Sequence, residues 1–126
     1  MRFVLDAGAL VALDRGDRAM WGHLAWAAAE DLDVRTHGGV VGQVWRGGGP
    51  RQARLSRALA GVEVLPLDEK LGKTAGAILA KDRSTDVVDA GVVCIAASGD
   101  EIFTSDSKDI ARLAKAAAIR IRIRTI

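Results

Sequence analysis

Short strand-like runs recur along this chain, each followed by a stretch with helical spacing, and that alternation constrains the fold more than any other feature. The runs are Arg2 to Leu5, Val34 to Thr36, Val62 to Leu65, Ile102 to Thr104 and Ile119 to Ile123. Helical segments are expected from Ala7 to Leu13 and from Asp17 to Glu30, the second with Met20, Trp21, Leu24 and Ala28 at three- and four-residue steps. A third begins at Val40 and stops at Gly47-Gly48-Gly49-Pro50, a break no helix runs through, and a fourth follows from Arg51 to Leu59. Asp68 can cap a helix with the apolar face Leu71, Ala75, Ile78 and Leu79. Ser84-Thr85-Asp86 can cap one from Val87 to about Ser98, and Asp106 can start one reaching about Ala117. Strands alternating with helices give an α/β fold: a mostly parallel β-sheet, right-handed crossovers, and helices on both faces. At 126 residues the chain fits one domain, residues 1–126, and its 49% apolar and 27% charged residues suit a packed core.

Several classes fall away on composition. The apolar run Ala90 to Ala97 is far short of the roughly 20 residues a bilayer span needs, and Phe3 to Leu5 is cut off by Asp6, so neither a leader nor a membrane partner is expected. Cys94 is the only cysteine, which excludes a disulfide framework and a cysteine metal site and makes a cytoplasmic setting the default. A net charge of +2 is too small to identify a nucleic-acid partner; the clustering of each sign matters more.

In open parallel sheets, ligands bind beyond the carboxyl ends of the strands. The polar residues that fall there are mostly aspartates: Asp6 after the first strand, Asp86 and Asp89 at the helix start near Val87, and Asp106 and Asp109 after the Ile102 run. Each alone reads as a helix cap, and Asp86-x-x-Asp89 and Asp106-x-x-Asp109 have capping-box spacing. Converging, with no Lys or Arg expected among them, they would repel one another and raise their pKa values unless a hard divalent cation neutralised them. Oxygen-only ligands favour Mg²⁺ or Mn²⁺ over zinc. Leu71-Gly72-Lys73-Thr74 lacks the upstream glycine of a phosphate loop, His23 and His37 are isolated packing or surface residues, and no nucleophile elbow occurs.

Three segments, Phe3-Val4-Leu5-Asp6-Ala7-Gly8-Ala9-Leu10, Thr85-Asp86-Val87-Val88-Asp89-Ala90 and Phe103-Thr104-Ser105-Asp106-Ser107-Lys108-Asp109, resemble the first, third and fourth acidic motifs of PIN-domain nucleases. In order and overall length the chain is most similar to the VapC-type toxins of bacterial toxin–antitoxin pairs. The resemblance spans the whole chain and implies a single PIN-like domain acting as a metal-dependent endoribonuclease on structured, transfer-RNA-like substrates. It implies Asp6, Asp89 and Asp106 as catalytic metal ligands, with Gln43, Asp86 and Asp109 as auxiliary residues. It also implies a cognate antitoxin that fills the acidic groove, and a homodimer. Two positions depart from the pattern. Gln43, in Val40-Val41-Gly42-Gln43-Val44-Trp45, stands where the family has Glu and offers a carbonyl oxygen without charge. Ala7 and Gly8 stand where a hydroxyl is common, so that hydroxyl's hydrogen bond to the site is expected to be lost.

Positive charge is clustered too. Arg46, Arg51, Arg54 and Arg57 bracket the glycine break, the last three at three-residue steps on one helix face, and suit contact with an RNA backbone as well as a solvated surface. Arg120, Arg122 and Arg124 alternate with Ile119, Ile121 and Ile123, the pattern of a charged sheet edge. The uncharged Gln43 leaves a second function open: the same fold as an RNA- or partner-binding module with a degenerate metal site.

Overall fold

The structure, a computed structural model, describes all 126 residues. Five strands, β1 (Phe3–Leu5), β2 (Val34–His37), β3 (Glu63–Leu65), β4 (Glu101–Thr104) and β5 (Arg122–Thr125), form one sheet in the order β3-β2-β1-β4-β5. Every pairing is parallel. The expected sheet is therefore parallel throughout. β1 lies at its centre because Phe3, Val4 and Leu5 are apolar on both faces, and all three are buried.

Seven helices connect the strands: α1 (Ala7–Asp14), α2 (Arg18–Ala29), α3 (Gly38–Val44), α4 (Ala53–Ala60), α5 (Glu69–Asp82), α6 (Val87–Cys94) and α7 (Ser107–Ala116). The chain moves from β1 through β2 to β3 and then returns across the sheet to β4 and β5. Right-handed crossovers therefore put α1 to α4 on one face and α5 to α7 on the other. Asp6, Asp17, Asp68 and Asp86 each cap a helix by accepting the N–H three residues on. A core of 25 buried apolar residues runs between the layers. No helix is long and apolar enough to cross a membrane.

Three boundaries and one buried position differ from expectation. α6 stops at Cys94 rather than near Ser98, because buried Asp100 closes a turn by accepting from the Ala97 N–H at 2.8 Å, with Gly99 at φ +94°. The last strand begins at Arg122 rather than Ile119. Ala118 is left-handed at φ 56°, and the Ile119 N–H still bonds back to the Ala114 carbonyl of α7. The segment from Arg51 opens as a tight turn over Pro50–Gln52, so α4 starts at Ala53. On α2 it is Ala27, not Ala28, that is buried beside Met20.

Candidate functional site

β1 and β4 are neighbours, although β2 and β5 flank them in chain order on opposite sides, so the crevice beyond their carboxyl ends is the point where the strand order switches. The acidic residues converge there. Asp6 leaves β1, Asp106 follows β4, and α6 presents Asp89 from its first turn. Carboxylate oxygens of Asp89, Asp106 and Asp109 lie within 4.8 Å of one another.

The carboxylates differ in what else they do. Asp6 is 3% exposed, and its Oδ1 caps α1 by accepting the Ala9 N–H at 3.0 Å. Burial pushes its carboxyl pKa up, while the Thr104 hydroxyl and backbone N–H groups of Ala9, Ser105 and Gly8 act the other way. Asp89 is lifted to about 7, first by desolvation and then by the negative charge of Asp86, with Asp6 and Asp106 adding to it. Asp106 is raised, chiefly through its side-chain hydrogen bond with Asp109. Its carboxylate makes no capping bond, so the cap expected at the start of α7 is absent and its oxygens face the cluster. Asp86 is a true cap, accepting the Asp89 N–H at 3.0 Å.

One expectation fails outright, because a cation does stand among these acids. Arg112 of α7 donates to Asp109 at 2.6 Å and to the nearly buried Asp82 at 2.9 Å, holding the Asp109 carboxyl below its ordinary range. The residual repulsion therefore falls on Asp6, Asp89 and Asp106. Three oxygen donors with raised pKa values and no cation of their own fit a hard divalent ion such as Mg²⁺ or Mn²⁺.

Gln43 is exposed on α3, and its side chain makes no hydrogen bond; only its carbonyl is engaged. That carbonyl, with those of Gly42 and Trp45, accepts from the Arg46 guanidinium, which folds back over the end of its own helix. Arg46 is thus a helix cap, apart from the exposed Arg51, Arg54 and Arg57. Buried Gln52 fixes the glycine loop by accepting from the Arg46 and Gly48 N–H groups and donating to the Val44 carbonyl.

Two contributors escape sequence reasoning. His37, ending β2, is fully buried. Its Nδ1 accepts the Gly39 N–H at 3.1 Å, which places the proton on Nε2 for donation to the Val88 carbonyl at 2.9 Å. This ring ties α3 to the turn of α6 that carries Asp89, and a Cβ at Gly91 would collide with it. Burial lowers its pKa, which keeps it neutral. The second is Thr104. Its hydroxyl accepts the Asp106 N–H at 2.8 Å and also supports Asp6, standing in for the hydroxyl missing after Asp6. Gly8 permits this, because a Cβ there would overlap the Ser105 side chain. The only signals were a β-branched hydroxyl at a strand end and a glycine in a helix's first turn.

No family model matches the sequence, and no curated protein matches it. Among solved structures, the fold is similar to a chain of VapBC2 from Rickettsia felis, solved bound to a DNA fragment from their promoter. The match has a TM-score of 0.67 at 12% identity and covers 98% of this chain and 99% of that one. At that identity the likeness concerns architecture alone: this chain has the PIN-like α/β fold that its three acidic motifs implied.

Proposed function

We propose that this chain is a Mg²⁺- or Mn²⁺-dependent endoribonuclease of the VapC toxin type, acting on structured, transfer-RNA-like RNA. The observation that carries the reading is the gathering of Asp89, Asp106 and Asp109, from α6 and α7, within 4.8 Å of one another, with Asp6 of the neighbouring β1 near enough for its charge to act on Asp89 and Asp106. Asp6, Asp89 and Asp106 would hold the ion, with Asp86 and Asp109 supporting Asp89 and Asp106 and Gln43 offering an uncharged oxygen from α3. A bound divalent ion would lower the pKa of a water and offset charge on the non-bridging phosphate oxygens. The chain's own groups supply the rest. The Ala9 N–H and the Thr104 hydroxyl orient Asp6, Arg112 holds Asp109 beside Asp106, and His37 sets the height of the α6 turn. RNA would be met by the exposed arginines Arg46, Arg51, Arg54 and Arg57, the first of them held against the end of α3.

VapBC2 is a two-component complex, and by that likeness we infer a cognate antitoxin as partner, along with a homodimer. The exposed apolar side chains of Trp26, Trp45 and Val87 offer surface for such contacts. The test is cleavage of labelled transfer RNA across a Mn²⁺ titration. Wild type should cut and Asp6→Asn should not, although Asn keeps the cap on α1. Equal rates would refute the assignment of Asp6. A second reading, an RNA- or partner-binding module, is favoured by the uncharged, unbonded Gln43; it requires wild type to be inert at every Mn²⁺ concentration while Gln43→Glu gains activity.

A further inference from the structure

Away from the acidic cluster, Arg18 at the start of α2 and Arg54 and Arg57 on α4 line one concavity of about 440 Å³ with Gly16 and Trp21. None of the three guanidinium groups has a carboxylate within 4.0 Å or any hydrogen bond from its side chain; the chain's ion pairs involve Arg2, Arg35, Lys73, Arg112 and Arg124 instead. The nearest acid in sequence, Asp17, is engaged as the cap of α2 through the Met20 N–H. Three gathered, unpaired cations repel one another, and an anion relieves that cost.

The walls are fixed as well. The Trp21 indole donates to the Leu13 carbonyl at 3.0 Å, which anchors the ring against the last turn of α1. Gly16, at φ +77°, has no side chain where the Arg54 guanidinium passes; a Cβ there would sit 3.0 Å from Nε. Leu55 and Ala58, on the opposite face of α4, are buried, so the helix cannot roll its arginines away.

Gly16 also lines the neighbouring groove of about 880 Å³, whose far end is formed by Gly8 and Ser105, next to Asp106. The groove follows α1, whose 8 residues span about 12 Å at 1.5 Å each. At about 3.4 Å per stacked nucleotide that is three to four nucleotides.

We propose that Arg18, Arg54 and Arg57, beside the Trp21 ring, form a phosphate-binding subsite for an RNA strand lying along α1, three to four nucleotides from the acidic cluster. Guanidinium groups bind phosphate oxygens in pairs, and the indole offers a face to a base, a combination an acidic peptide does not need. The proposal rests on the ribonuclease reading only for the identity of the polyanion.

The test is binding of a labelled twelve-nucleotide RNA to the Asp6→Asn protein in EDTA between 50 and 200 mM KCl. Arg54→Ala with Arg57→Ala should weaken binding at least tenfold at 50 mM and flatten the log–log salt slope by about 1.4, the value for two lost contacts on a single strand. Arg120→Ala, on the far edge, should change neither. If the double variant unfolds early, Arg57→Gln alone should flatten the slope by about 0.7. An unchanged slope and affinity, or lost binding of polyglutamate with RNA binding intact, overturns the subsite. The two readings fail separately. Cleavage by wild type with no effect of the arginine variants removes the subsite alone. Absence of cleavage with an arginine-dependent salt slope removes the nuclease alone.

Discussion

Replacing Asp89 with Asn should stabilise the metal-free protein, an unusual direction for a partly buried polar residue. The rise of its carboxyl from the ordinary 3.8 to about 7 means that folding holds the proton far more tightly than the unfolded chain does. At about 1.4 kcal/mol per tenfold change in proton affinity, the ceiling on the destabilisation is about 4 kcal/mol. Asp89 is only half-buried, and solvent screening reduces this to about 1–2 kcal/mol. Because the folded-state pKa is the raised one, the cost is absent below pH 4, grows through the interval to pH 7 and is complete above it. Asn keeps the backbone N–H that bonds Asp86 and can still donate to the Asp86 carboxylate. In EDTA, thermal melts should place Asp89→Asn about 4–8 °C above wild type at pH 8, with the gap closing towards pH 4. Mn²⁺ at ten times its dissociation constant should return about 1.4 kcal/mol to the wild type and narrow the gap. A variant melting at or below wild type at pH 8 in EDTA would refute the view that these carboxylates repel, leaving them as independent caps.

Three further outcomes are expected. Gln43→Glu should lower the Mn²⁺ concentration for half-maximal cleavage, a tenfold change corresponding to about 1.4 kcal/mol of added binding, and an unaltered Mn²⁺ profile would separate Gln43 from the site. Gly8→Ala, which brings a Cβ to 2.6 Å from the Ser105 Cβ, should cost about 1–3 kcal/mol in urea unfolding and depress cleavage more than stability, since the Ser105 turn carries Asp106; a neutral result would mean the turn yields freely. His37→Phe leaves the Val88 carbonyl and the Gly39 N–H without partners and should cost about 1–3 kcal/mol, while removing the loss of wild-type stability below pH 6.5 that accompanies a buried neutral imidazole; a retained pH dependence would assign that loss elsewhere.

Much of the architecture was legible because β1 and β4 are short runs rich in apolar residues with an acid close behind, because β2 and β3 stop at Gly38 and Pro66, and because Asp6, Asp17, Asp68 and Asp86 are caps whose chemistry is local. The end of α6 and the start of β5 were not, since they depend on Asp100 closing a turn and on a left-handed Ala118, neither of which leaves a periodic trace. Within the site, the aspartates announced themselves by position. Arg112 was legible only in half, since its spacing of three from Asp109 on one helix is local, whereas its partner Asp82 lies 30 residues away and meets it only after folding. His37 read as an isolated histidine for the same reason, its acceptor Val88 lying 51 residues further on. The bonds of the Arg46 guanidinium to three carbonyls at the end of its own helix left no trace in the sequence, where it reads like the other arginines around the glycine break.

The neighbouring of β1 and β4 bears on when, during synthesis, this protein acquires its chemistry. The Arg2 backbone N–H bonds to the Asp100 carboxylate, a separation of 98 residues, and the β1–β4 ladder runs alongside it. Asp106 is translated about 100 residues after Asp6, and its segment must cross that distance to join it. A nascent chain that has not reached β4 carries Asp6, Asp86 and Asp89 but neither Asp106 nor Asp109. The acidic constellation is born only once β4 and the start of α7 have been made, so a fragment ending before them lacks it.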